Sequence, residues 1–212
     1  MQDRFIIIVI TSPGYVAEEA RKIRQLLASG VDYVHIRKPD STLREVKDLI
    51  EDIPYDMRHR LRLHGHFSLV DEFNLAGVHL NHRNPEPPLN ALSITRSCHK
   101  LSELDDLTAC SYVTLSPIFD SISKAGYTSH FDLEKIAPTI GGKHVVALGG
   151  VTPRHFASLR EHGFYGAAML GYVWQEDFDR MITNLKEEIA KIRKNNKKQH
   201  PSVLFFVLQI VT

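Results

Sequence analysis

The sequence predicts an α/β chain folded as a single (β/α)8 TIM barrel with a parallel eight-stranded core, and three observations carry that prediction. Short apolar runs recur eight times, and helical or polar stretches separate most of them. The runs are continuous rather than alternating in polarity, as suits parallel strands covered on both faces. The first run leads into Thr11-Ser12-Pro13-Gly14 and not into a glycine-rich dinucleotide turn, which favours a closed barrel over a doubly wound open sheet. With 212 residues the chain is short for this fold, which typically needs about 250 but tolerates roughly 200 when its loops are brief.

The elements follow in order. Phe5–Ile10 is the first strand, and Val16, Ala20, Ile23 and Leu27 then share one helical face that stops at Gly30. Tyr33–Ile36 is the second strand, followed by a helix whose apolar face is Leu43, Val46, Leu49, Ile50 and Ile53, ending before Pro54. Strands three to six are Leu61–Leu63, Gly77–Leu80, Leu92–Thr95 and Tyr112–Leu115. His144–Leu148 is the seventh. Thr152-Pro153 then reads as an N-cap with proline at the first helical position, opening a helix that runs to Gly163. Gly166–Leu170 is the eighth strand, and Phe178, Met181, Ile182, Leu185, Ile189 and Ile192 line the final helix. The barrel is expected over residues 1–195, with a tail at 196–212 that is first basic and then apolar.

Composition narrows the function. The 26 basic and 25 acidic side chains leave a formal charge of +1, too weak a field to point to nucleic acid or to an acidic membrane surface. Cys98 and Cys110 are too few for a disulfide framework and lack paired metal spacing, so free thiols in a reducing cytoplasm are expected. The opening apolar run is too short for a secretory signal core. The apolar end of the tail is too short to span a bilayer as a helix, and is read as an extra strand or a homo-oligomer contact, or else as a disordered tail.

In a barrel of this kind the residues just past each strand meet at one mouth, where function resides. Gly149-Gly150 after strand seven allows backbone N–H groups to approach a phosphate, and Leu170-Gly171 forms a matching turn after strand eight that opens toward the last helix. The competing reading of Gly149-Gly150 is a tight turn before Thr152-Pro153, which also favours glycine. Arg37, permanently charged, ends strand two and suits a carboxylate or phosphate, unless Asp40 engages it. His99 follows strand five two residues after Ser97 and is a residue type suited to moving protons at a barrel mouth, with a surface histidine as the bland alternative. Lys124, beside Ser123 in a Ser/Asp-rich loop, is placed to close over an anion. His64, His66, His79 and His82 suggest zinc, but no Asp or Glu falls at the mouth positions and His79 reads as packed in the barrel wall, so no metal site is assigned.

Taken in order, Val34-His35-Ile36-Arg37, Gly77-Val78-His79-Leu80, Ile94-Thr-Arg-Ser-Cys-His99, Ser116-Pro-Ile-Phe119 with Ser123-Lys124, Ala147-Leu-Gly-Gly-Val151 and Gly166-Ala-Ala-Met-Leu-Gly171 resemble the thiamine phosphate synthase superfamily over about residues 5–190. That resemblance implies a thiamine-biosynthesis barrel acting on a small phosphorylated thiazole. One branch, the synthase, joins a pyrimidine diphosphate to thiazole phosphate with magnesium; the other, a thiazole tautomerase, aromatises the thiazole phosphate carboxylate. The synthase pattern Gln-x-Arg-x-Lys is here His35-Ile-Arg37-Lys38-Pro39, with Lys38 the nearest substitute for the lysine. Its two magnesium aspartates are replaced by His64-Gly65 and Asn84, and magnesium depends on such carboxylates. The tautomerase pattern is met by His35-Ile36-Arg37, Gly65 and Arg96-Ser97-Cys98-His99. The resemblance therefore implies an isomerase without a cofactor. His99 is the proton-transfer residue, and His35, Arg37, His64, Ser97, Ser123 and Lys124 bind substrate. Gly149, Gly150, Leu170 and Gly171 hold the phosphate. The alternatives are the magnesium-dependent synthase and a non-catalytic barrel that binds thiazole or thiamine phosphates.

Overall fold

The computed structural model describes residues 4–120, 131–175 and 177–199, with side chains as far as Lys194. Eight strands close into one barrel: β1 Ile6–Ile10, β2 Tyr33–Ile36, β3 Leu61–Leu63, β4 Gly77–Leu80, β5 Ile94–Cys98, β6 Tyr112–Leu115, β7 Val145–Ala147 and β8 Gly166–Met169. Each pairs in parallel with its neighbours, and β8 returns onto β1 through Ile6↔Gly166 and Val9↔Met169. The helices are α1 Glu19–Ala28, α2 Leu43–Glu51, α3 Tyr55–Arg58, α4 Leu69–Glu72, α5 Leu133–Ile140, α6 Phe156–Glu161 and α7 Phe178–Gln199. Among the described residues no helix is long and apolar enough to cross a membrane.

Local signals explain the boundaries. Helix α2 opens with a capping box: the Glu45 amide donates to Thr42 Oγ1 at 3.3 Å, and the Thr42 amide donates to Glu45 Oε2 at 2.7 Å. The expected helix after Thr152-Pro153 begins as a 3-10 turn, Pro153–His155, before α6. The strand expected at Leu92–Thr95 lies instead at Ile94–Cys98. Leu92 is fully exposed, whereas Arg96, Ser97 and Cys98 continue the pairing with Val113, Thr114 and Leu115 of β6. Helix α7 runs through the basic stretch to Gln199, past residue 195, and the apolar end of the tail lies outside the described residues.

Two cores result. Outward-facing strand residues such as Ile7, Val9, Val34, Ile36 and Leu63 pack against Ile23, Leu26, Leu49, Ile50 and Leu185 of the helices. Inside the barrel, Ile6, Ile8 and Ile10 of β1 form a smaller cluster with Tyr112, Val146 and Ala168. The remaining interior is polar: His35, Arg62, His79, Thr95 and Thr114 are all at most 2% exposed, and all lie on β2 to β6. The interior is thus divided into an apolar arc on β7, β8 and β1 and a polar arc opposite. That division is unusual against the branched apolar filling normal for these barrels, and it sets the chemistry at the mouth.

Candidate active site

A cavity of about 670 Å3 opens over the carboxyl ends of the strands, a size suited to a small ligand. Its apolar side is Ile10, Leu148, Ala168 and Leu170; its polar side is Arg37, His64, Asn81, Ser97, His99 and Ser116. Among the described lining residues there is no Asp or Glu.

Gly149, Gly150, Leu170 and Gly171 meet at this cavity. Gly149 (φ +90°) and Gly150 (φ +63°) adopt left-handed conformations, and a Cβ on Gly150 would lie 2.2 Å from the Asp120 carbonyl oxygen. The loop after β6 therefore crosses directly over the glycines, so the tight-packing explanation for these residues holds independently of any ligand. Among the described residues no acceptor takes the amide protons of Gly149, Gly150 or Gly171, which leaves them for an anion. A turn follows Gly171, and the last helix begins at Phe178. We expect Gly150→Ala to weaken inorganic phosphate binding at least about tenfold, since one lost charge-assisted hydrogen bond suffices. Gly142→Ala, at φ +77° but in open space, should leave phosphate affinity unchanged. Calorimetric titration with phosphate reads both.

His99 is exposed at the rim, and its Nδ1 lies 3.2 Å from the Ser116 carbonyl oxygen and 3.2 Å from Ser116 Oγ. A carbonyl only accepts, so Nδ1 carries the proton and Nε2 keeps the basic lone pair. Its amide donates to Glu103 Oε2 at 2.5 Å, which anchors the residue's backbone. The Arg37 guanidinium has no ion-pair partner among the described residues; Asp40 pairs with Arg83 instead, at 2.9 Å. Lys38 is not available as a substitute anion binder. Its Nζ donates to the Ser12 and Gly14 carbonyls at 2.9 and 2.8 Å and to Glu19 at 2.8 Å, in a pair almost wholly buried. Arg96 likewise turns away, donating to the Glu103 and Asp106 carbonyls. Ser123 and Lys124 lie outside the described residues.

His35 departs from expectation as well. It is not a loop residue at the mouth but an inward member of β2, fully buried and absent from the cavity lining. Its Nδ1 lies 2.9 Å from His64 Nε2 and its Nε2 2.7 Å from the Tyr112 hydroxyl. His64 lines the cavity, stacked on His79 with ring centroids 4.1 Å apart. His79 Nδ1 lies 2.8 Å from Thr95 Oγ1 and its Nε2 3.0 Å from Ser97 Oγ. Burial, reinforced by the Arg62 cation, pushes the basicity of all three histidines down, to about 3 for His79, so each is a neutral imidazole. Arg62 and Tyr112 escaped the sequence reading, although a charge inside Leu61-Arg62-Leu63 is itself a signal of an inward polar position.

The magnesium that the synthase resemblance implies does not fit the residues present. At the corresponding places His64 and Gly65 carry no carboxylate. The Asn84 and Asn81 amide nitrogens both donate to the His64 carbonyl, at 2.9 and 2.7 Å. The cavity wall adds Arg37 and Arg83 and no described acid.

The closed parallel barrel, with a cavity over the carboxyl ends of its strands lined by glycine turns and ionisable side chains, defines a (β/α)8 barrel with its candidate site at the usual mouth. The family model described as thiamine monophosphate synthase matches residues 7–173, and the chain belongs to that family, one of thiamine biosynthesis. A solved structure of thiamine phosphate pyrophosphorylase from Bacteroides thetaiotaomicron is 31% identical, with a TM-score of 0.77 over 92% of this chain and all of that one. The thiamine-phosphate synthase of Flavobacterium johnsoniae is 23% identical over 201 residues, covering 85% of this chain and 94% of the relative. The thiamine phosphate pyrophosphorylase structure from Pyrococcus furiosus, 18% identical with a TM-score of 0.72 over 89% of this chain and 96% of that one, shares the fold.

Proposed function

We propose that this chain aromatises a phosphorylated thiazole carboxylate by histidine-mediated proton transfer. The observation that supports the reading most is the composition of the cavity wall: free glycine amides and Arg37 for anions, His99 with a basic Nε2, and no described carboxylate. Moving an exocyclic double bond into an aromatic ring requires one proton removed and one returned, which a single imidazole does in turn. The phosphate rests on Gly149, Gly150 and Gly171, and Arg37 neutralises the carboxylate. Ser97 and His64 bound the ring. The test is to mix pure protein with the unaromatised thiazole phosphate carboxylate and follow aromatic absorbance. A rate above the spontaneous one supports the reading, and no acceleration overturns it.

The names of the relatives favour a second reading more directly than the first. Both the 31% identical structure and the curated relative are named as the enzyme that makes thiamine phosphate. As a transferase, the chain would join the pyrimidine diphosphate to thiazole phosphate. Magnesium-dependent formation of thiamine phosphate from the two purified precursors would establish that reading.

A further inference from the structure

We infer that His64 Nδ1–H is a fixed, neutral hydrogen-bond donor at the cavity surface that holds an acceptor atom of the ligand, locked in that tautomer from behind by His35 and Tyr112. The inference deepens the proposed function, since it assigns that acceptor to the carboxylate of the phosphorylated ring.

The assignment follows from counting protons. Arg62 is buried beside Tyr112, its guanidinium carbon 5.4 Å from the ring centroid, and a guanidinium has donors but no acceptor. Among the described residues, the group that can take the phenolic proton is therefore His35 Nε2, 2.7 Å away. Were that contact reversed, a buried O–H would be left without an acceptor, at a cost of about 1–3 kcal/mol. With its Nε2 accepting, neutral His35 carries its proton on Nδ1 and donates to His64 Nε2 at 2.9 Å. Neutral His64 must then carry its own proton on Nδ1, the ring nitrogen that has no protein partner among the described residues and is not sealed from the cavity.

A parallel count fixes the neighbouring wall. Thr95 Oγ1 donates to the Val78 carbonyl at 3.1 Å, so it accepts from His79 Nδ1–H. His79 Nε2 then accepts from the Ser97 hydroxyl, which leaves Ser97 presenting lone pairs to the cavity. The β3 side therefore attracts acceptors and the β5 side donors. The line from Tyr112 to His64 does not conduct protons, because burial pushes the Tyr112 phenol up and a tyrosinate at its end is strongly disfavoured. His64 is accordingly a positioning residue. Nor is the trio a ready cation site, although its ligand atoms lie within 4.8 Å of one another. The lone pairs of His35, His64 and His79 are each taken by Tyr112, His35 and Ser97 in turn, and Arg62 adds a positive charge behind them.

The test is long-range proton–nitrogen correlation NMR on the full chain with labelled histidine. The expected spectrum shows His35, His64 and His79 with a protonated Nδ1 and a bare Nε2, unchanged between pH 8 and pH 6. Tyr112→Phe, folded by circular dichroism, should mix the tautomers of His35 and His64. It should also weaken the thiazole phosphate carboxylate about tenfold, the equivalent of one hydrogen bond to a charged group, while inorganic phosphate binds as before. His64→Asn, which keeps an amide donor near the Nδ1 position, should retain most of the affinity that His64→Leu loses; this pair decides the point if Tyr112→Phe fails to fold. A proton on His64 Nε2 in the wild type overturns the lock, as does a shift of all three rings on adding one equivalent of Zn2+. Tautomers as assigned without binding of the carboxylate probe uphold the donor and overturn the functional reading instead.

Discussion

Replacing His99 with asparagine is expected to lower kcat for thiazole aromatisation by about 10²–10⁴, the usual contribution of a positioned acid–base group. Asparagine reproduces the Nδ1–H donation to the Ser116 carbonyl, so the loop after β5 keeps its anchor, but it has nothing in place of the basic Nε2. KM should move little, because the proposed phosphate contacts, the backbone amides of Gly149 and Gly150, are left in place. Steady-state kinetics with the thermal midpoint measured alongside separates the cases. A variant with nearly full kcat would remove His99 from the chemistry, and one with a collapsed melting temperature would make its role structural.

Acid is expected to unfold this protein earlier than its carboxylates alone would require. His35, His64 and His79 are held neutral chiefly by burial, each with a folded pKa below its ordinary value of about 6.5. Below that pH the unfolded chain binds protons that the folded chain refuses. The stability due to the neutral trio is therefore complete above about pH 6.5 and falls as pH drops toward the folded values, near 3 for His79. The slope is about 1.4 kcal/mol per pH unit for each histidine, and roughly three times that where all three contribute. Against a typical stability of about 5–15 kcal/mol, that is enough to unfold the barrel within a few pH units. Urea midpoints should be level between pH 9 and 7 and drop steeply from pH 6.5 to 5. A midpoint that stays level to pH 4 would mean that the trio takes up protons without opening the fold.

The barrel was legible because its strands are short, largely apolar runs, and seven of the eight fall within one residue of the observed bounds at both ends. The exception is instructive. At β5, Arg96-Ser97 looked like a strand end, yet Arg96 points outward to loop carbonyls and Ser97 inward to His79. In the site, the glycine turns and His99 were readable as residues following strands. The trio was not, because His35 was expected to bind substrate at the mouth, whereas the register puts it beside Arg62 within the sheet. Inward parity, counted from Ile8 and Ile10 of β1, would have placed His35, His64 and His79 in one interior. The availability of Lys38 was unreadable in principle, since it depends on Glu19, half a barrel unit earlier in the chain, folding back to meet it.

The claim on which the account rests is that this carboxylate-poor cavity does not seat a divalent ion beside a diphosphate. Electron paramagnetic resonance of Mn2+ titrated into the protein with pyrophosphate present measures that directly. The expected signal is that of Mn2+ pyrophosphate free in solution, unchanged by stoichiometric protein. A protein-bound Mn2+ signal that appears with one equivalent of pyrophosphate would contradict the account and make diphosphate displacement the chemistry of this site.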